Sequence, residues 1–336
     1  MTLAICGLGL VTPFGTTPTE HVYYLRAGVP APPASPFETK DGDRVDVSFC
    51  RFLGAAAPIE ERLLQLGERA LATAMAPLAA WVKPSETRVL LVTARPRPGL
   101  DQYASARLEK HVAAHGSETR KFFGDAGAFA ALREAPGLIT PEARVVVVVA
   151  VDSFIEPRTL EDRVRFPPSY WNMDGPEASE GAAAMVLMDP YQARRQSCPI
   201  LGTFEAAAIA AGAANDENDE PVDGAPMVAA MRQLPDKPRV RSAFGPWRVD
   251  LLRRDEWQLA TARMHERFAS ENEFHCIERD VGRLGAASGL ANAVYGVTML
   301  KHVATDALEA ANSPCLAWAL SPDGTRGVAM LTGGRA

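Results

Sequence analysis

Residues 145–149 are five consecutive valines, and they constrain the fold more than any other stretch of the chain. Alternate residues of a β-strand face opposite sides of its sheet, so an unbroken β-branched run presents apolar surface both ways. Such a strand belongs in the middle of a sheet covered on both faces, the usual condition of parallel strands flanked by helices. The rest of the chain agrees, because apolar strand-like segments alternate with helical periodicities throughout, the pattern of layered α/β architectures.

The spacing of apolar and breaker residues predicts the individual elements. Residues 3–10 read as a buried strand, and Thr17 caps a helix over 18–28; four prolines make 29–36 a loop. Residues 44–53 read as a strand. Between 59 and 81, Leu63, Leu66, Ala70, Leu71, Ala74 and Leu78 recur at helical spacing, predicting a long buried helix bent or ended near Pro77. Strand 89–92, an amphipathic helix over 102–114 and a shorter helix over 128–133 precede the valine run. After it come helices at 226–231, 251–268 and 290–304 and strands at 274–277, 315–320 and 327–331. The acidic stretch 214–223 reads as a solvated loop.

At 336 residues and 47% hydrophobic, the chain can bury a sizeable core. Its formal net charge is −6, and no block of five basic residues occurs, so nucleic acid and anionic membrane surfaces are not expected partners. No apolar run approaches the roughly 20 residues of a membrane span, and the N-terminus lacks the pattern of a signal peptide; a cytoplasmic location is expected. The 5 cysteines are widely spaced, with no C-x-x-C pair, as for buried thiols in a reducing compartment.

Three local patterns suggest a nucleotide site, a metal site and a nucleophile–base pair, and none is complete. Cys6-Gly7-Leu8-Gly9 lacks the third glycine of a dinucleotide fingerprint, and Pro13 interrupts where the phosphate-binding helix would begin. His111 and His115 are four apart on one helical face but lack an acidic residue between them and an evident third ligand. His275 and Cys276 are neighbours on a predicted strand, so their side chains point to opposite faces. No cofactor and no metal is expected.

Three longer segments occur in one order. Residues 4–15 read as a hydrophobic strand followed by Gly7-Leu8-Gly9-Leu10-Val11-Thr12-Pro13-Phe14-Gly15. A strand ending Val151-Asp152-Ser153 precedes Asp174-Gly175 and then Glu180-Gly181-Ala182. Near the C-terminus stands Gly282-Arg283-Leu284-Gly285-Ala286-Ala287-Ser288-Gly289. Together these resemble the β-ketoacyl synthases of the thiolase superfamily, with their G-x-G-x-V-T-P-x-G, D-G…E-G-A and G-H-x-x-G-A-A-G segments. The resemblance implies an α/β thiolase-like fold of two similar βαβαβαββ halves, residues 1–197 and 198–336, forming one compact α-β-α-β-α unit.

Enzymes of that family use a Cys thiolate at a strand-to-helix turn, two His residues and a supporting Lys. Matching the motifs residue by residue places Gly124 at the Cys position, Phe244 at the first His, Glu278 at the Lys and Arg283 at the second His. Phenylalanine offers no proton, and arginine stays protonated at physiological pH. Glu180 of the E-G-A segment is expected to be a buried structural carboxylate, and Asp174-Gly175 a turn. The pattern implies a synthase scaffold without its catalyst.

Scaffolds of this family pair along their sheets. The resemblance implies a homodimer or a heterodimer with a ketosynthase-like protein, as a chain-length factor forms, with residues 120–132 supplying the dimer strand and helix. An acyl carrier protein is a second possible partner. Short, degenerate synthase-like proteins are also encoded near type VI secretion genes, which implies an adaptor for an effector. A third expectation is an acyltransferase with a relocated nucleophile, for which Cys276 or Cys315 would have to lie beside a histidine. Arg95-Pro96-Arg97, Arg194-Arg195 and Arg253-Arg254 read as solvated surface groups.

Overall fold

The computed structural model describes residues 1–29, 34–38, 42, 44–78, 80–165, 178–212, 223–236, 238–246, 251–303 and 314–333. The first half runs β1 (Leu3–Val11), α1 (Pro18–Arg26), β2 (Ala34–Glu38), β3 (Arg44–Val47), α2 (Ile59–Met75), β4 (Thr87–Thr93), α3 (Ala106–Ala113), β5 (Glu118–Phe123), α4 (Gly127–Leu138), β6 (Val145–Ser153), α5 (Pro157–Arg165) and β7 (Glu180–Met188). After α6 (Pro190–Arg195), the second half runs β8 (Gly202–Ala211), α7 (Ala225–Met231), β9 (Val240–Phe244), α8 (Leu251–Arg263), β10 (Phe268–His275), α9 (Glu278–Val281), α10 (Ser288–Val303), β11 (Pro314–Leu320) and β12 (Thr325–Gly333).

The ten principal strands lie in the order β10-β9-β11-β12-β8-β1-β7-β6-β4-β5. Within each set of five, the third, second and fourth strands are parallel neighbours in that order, and the fifth is antiparallel between the fourth and the first. The two halves therefore repeat one topology, the duplicated thiolase-like arrangement. They join where Leu3, Ala4 and Ile5 of β1 pair antiparallel with Phe204, Thr203 and Gly202 of β8. The valine run lies in β6, wholly buried between β4 and β7.

Three helical layers cover the sheet. Helices α4 and α10 form the middle one, each packing on strands of both halves, and their side chains join β1, β6, β7, β11 and β12 in one core. Outside the first half, α2 and α3 cover Val89, Leu91, Val147 and Val149. Outside the second, α7 and α8 cover a core in which Trp257 and Trp318 stack 4.7 Å apart. The result is the α-β-α-β-α order.

The Gly7-x-Gly9 pattern has a packing explanation. A Cβ built on Gly7 would stand 1.9 Å from the Ala74 carbonyl oxygen, and one on Gly9 2.0 Å from that of Ala70. The glycines let the α2 backbone lie directly on β1, which leaves no room for a phosphate. The neighbouring turn is fixed by the wholly buried His21, whose Nε2 meets Thr12 Oγ1 at 2.7 Å and whose Nδ1 meets the Thr17 carbonyl at 2.7 Å. Thr17 and Glu20 form a capping box at the start of α1.

Several elements differ from their sequence-based expectations. Part of the proline-rich 29–36 loop is strand β2, which pairs with β3 in a small hairpin. The strand expected over 44–53 stops at Val47 and gives way to a 3-10 turn over Arg51–Leu53. The helix expected over 251–268 ends at Arg263, because Phe268 begins β10, and β10 ends at His275 rather than 277. Edge strand β5 (Glu118–Phe123) and α4 lie where the resemblance put a strand and helix over 120–132, although the charged residues of β5 carry little apolar alternation. The acidic stretch 215–220, Asp174-Gly175 and Trp247 lie outside the described residues. Among the described residues, no helix is long and apolar enough to cross a membrane.

Burial pushes the His21 pKa down to about 4, against an ordinary 6.5. A neutral imidazole is thus favoured in the folded state. Its stabilisation is fully present above about pH 6.5 and is lost as the pH falls through about 4, a total of about 3 kcal/mol. Urea midpoints at pH 7 and pH 4 should fall further apart in the wild type than in His21→Gln; equal pH sensitivity would contradict the assignment.

Candidate functional site

Strand β5 ends at Phe123 and the chain turns into α4 through Gly124, whose φ of +82° is readily adopted only by glycine. The Gly124 N–H donates to the Thr93 carbonyl at the end of β4 (3.0 Å), and the Gly124 carbonyl accepts from Gly127 (2.9 Å). The Ala126 N–H donates to Ser321 Oγ at 2.8 Å, so the turn is held from the β11–β12 loop of the other half. No cysteine lies between Cys50 and Cys198.

Asp125, next in the turn, accepts from Arg253 of α8 at 3.1 Å, and Arg253 also donates to the Leu320 carbonyl at 3.1 Å. Arg253 is 4% exposed, which corrects the expectation that Arg253-Arg254 is a solvated pair. Glu278 opens α9 and is buried. Its carboxylate accepts from the Leu284 N–H at 2.9 Å and from Ser288 Oγ at 2.6 Å. Desolvation pushes its pKa up; the two hydrogen bonds and the Arg253 charge oppose this, while Asp125 adds to it. Gly124, Asp125, Arg253, Glu278, Ser288 and Ser321 thus share one polar neighbourhood between the halves.

Phe244 ends β9 in a different setting. Its ring is fully buried, stacks on His275 at 4.7 Å and meets Tyr295 edge-on at 5.7 Å. Tyr295 is seven residues after Ser288 on α10, about 10 Å along the helix. Arg283 is half-buried in the turn before α10, where its backbone bridges to Ala178.

A carboxylate at the end of β6 braces that turn. Asp152 accepts from Arg97 at 2.7 and 3.2 Å, from Ser153 N–H at 2.8 Å and from Ala286 N–H at 2.9 Å. Arg97 also lies over the Phe154 ring, so it too is no solvated surface group. Next to Asp152, Ser153 Oγ donates at 2.9 Å to Glu180, the anticipated structural carboxylate. Glu180 is bound to Arg62 at 2.8 Å, both side chains being 0% exposed, and accepts the Cys50 N–H at 2.8 Å. Of these partners, Arg62 was detectable in the sequence as a charge inside the apolar stripe of α2; Arg97, Arg253, Ser288 and Ser321 carry no comparable signal.

A cavity of about 530 Å³ opens where β4, β5 and β6 end, bounded by Leu63, Thr93, Leu100, Phe123 and Asp152. Chemically, the β5–α4 turn offers no thiol, Phe244 no proton, and Glu278 a carboxyl whose oxygens are already engaged. Cys315 is fully buried with its pKa pushed up to about 12, and burial also raises those of Cys6, Cys50 and Cys198. Cys276 is half-buried beside His275, and no disulfide links any of the five.

By sequence the chain matches no protein family and no curated protein. Its fold is that of the ketosynthases. One similar structure is the ishigamide ketosynthase/chain length factor, 17% identical over 99% of both chains, with a TM-score of 0.72. A ketosynthase from module 6 of the bacillaene synthase of Bacillus subtilis 168 gives 0.77 at 13% identity, over 100% of this chain and 72% of that one. A type II polyketide synthase acyl-carrier protein in complex with its hexaketide-bound ketosynthase gives 0.76 at 13% identity, over 99% of both chains. These likenesses establish the thiolase-like ketosynthase fold.

Removing one partner of the dry Arg62–Glu180 pair strands a buried charge, so Arg62→Met should cost about 3–5 kcal/mol in chemical denaturation, and Arg62→Met with Glu180→Leu should recover much of it. At the turn, a Cβ on Gly124 would meet Ser321 Oγ at 2.9 Å in a backbone conformation that L-residues avoid. Gly124→Cys should lower stability by about 1–2 kcal/mol. It should also gain no acyl mass in intact-protein spectrometry with acyl thioesters, and stoichiometric loading would contradict this reading of the site.

Proposed function

We propose that the chain is a ketosynthase-fold subunit that does not condense acyl groups and acts through protein contacts, as the partner of a ketosynthase-like protein. The observation that carries this reading is the β5–α4 turn. A glycine stands there, followed by an aspartate bound to a buried arginine, where the family places its nucleophile. Gly124, Phe244, Glu278 and Arg283 are taken as the replaced Cys, first His, Lys and second His, and the boundary between the halves is placed at 197/198.

The partner-subunit reading is supported by edge strand β5, which among the described residues has a neighbour only on its β4 side and exposes Arg120, Lys121 and Phe123. An exposed edge is a template for a strand of another chain. A ketosynthase/chain length factor and a carrier-protein complex are among the similar structures, which favours polyketide or fatty-acid assembly over the secretion-adaptor reading.

Affinity purification from native cells tests this directly. Stoichiometric recovery of a ketosynthase or acyl carrier protein is expected; recovery of a secretion effector instead would replace the proposal with the adaptor function. Arg120 bridges Glu118 and Glu134, so Arg120→Asp gathers three like charges on this edge and should reduce partner recovery at least about tenfold, with the variant still folded by circular dichroism. Undiminished recovery would move the interface away from β5.

A further inference from the structure

His111 and His115 lie outside the polar site and take no part in the proposed function. Helix α3 ends at Ala113, so His115 is just beyond its last turn, yet the two rings still face each other. Their centroids are 5.1 Å apart, with the planes inclined at 57°. An imidazole nitrogen binds Zn²⁺ at about 2.0–2.1 Å, and with the ring centroid about 1.1 Å behind it, each centroid stands about 3.2 Å from the metal. Two rings sharing one ion would then be separated by about 5.2 Å at a tetrahedral angle and about 4.5 Å at a right angle. The observed spacing lies within the range that lets both rings reach one ion.

Both residues are partly exposed, which leaves a path for an ion, and Glu68 of α2 is close enough to act electrostatically on His115. Among the described residues no group of three metal-ligating side chains is gathered, so the protein supplies two ligands and water the rest. That donor set suits late first-row divalent cations rather than Mg²⁺ or Ca²⁺, which need oxygen ligands. We propose that His111 and His115 together bind one divalent cation of the zinc, nickel and copper type, exchangeably, on the outer α2/α3 layer.

The test uses the full chain without an affinity tag. Calorimetric titration with ZnCl₂ should show one site, and His111→Gln or His115→Gln should each weaken it at least about tenfold through loss of the second anchor. Substoichiometric Cu²⁺ should broaden the imidazole NMR signals of His111 and His115 before those of the other four histidines. The double Gln variant should melt as the wild type does, since neither ring is in the core. Unchanged zinc uptake by that folded variant, or no zinc uptake and no selective broadening in the wild type, would overturn the proposal.

Discussion

The Glu180 carboxylate is the interaction on which the first half depends. It sits where water is excluded and collects Arg62 from α2, the Cys50 amide from the segment after β3, and Ser153 from the end of β6. In that environment an ionised carboxylate is tolerable only with its lone pairs occupied and a counter-charge in place. Burial pulls its pKa up and Arg62 pulls it back, so the position of each partner is enforced by the cost of losing it. Ser153 adjoins Asp152, which holds Arg97 and the turn before α10. A continuous set of polar contacts therefore runs from the outer helix to the middle layer, and the β5–α4 turn is assembled beside it.

The middle layer shows how the β5–α4 turn and the polar groups around it are held in place. An active nucleophile and its bases must be poised, which leaves polar groups imperfectly satisfied. Here Asp125 is neutralised by Arg253, Glu278 is bound on both oxygens, and Ser321 caps the turn. Phe244 packs its ring against His275 and Tyr295. Asp125, Glu278 and Ser321 each have a local partner, which ties the two halves together at this junction.

The sequence made some layers of this structure legible and hid others. The valine run, the α2 stripe and the Gly7-x-Gly9 strand each reflect burial against neighbours close enough to impose a period, and their elements lie where that period puts them. Arg253 could not be read as buried, because its partner Asp125 is 128 residues away and only the folded halves bring them together. β10 was misplaced, and β5 was signalled by the resemblance alone, because edge strands are half solvated and lose the apolar alternation. The absence of a thiol in the β5–α4 region was visible in residue identities alone; what occupies the space instead required the coordinates.

The duplicated topology makes β5 and β10 equivalent edges, and their chemistry separates them. β10 exposes Ser270, Glu271, Asn272, Glu273 and Phe274 in succession, and its register with β9 is irregular between Phe268 and Glu273. Two exposed glutamates of one sign and a distorted ladder are features that discourage edge pairing. β5 carries Glu118, Arg120 and Lys121, charges of both signs, keeps an unbroken parallel register with β4 from Glu118 to Phe123, and ends in an exposed phenylalanine. Both edges end in an exposed phenylalanine, but an incoming strand meets charges of both signs on a regular ladder at β5 and two glutamates on an irregular one at β10. One topology repeated twice thus leaves two edges of different chemistry among the described residues, and the regular one leads directly into Gly124.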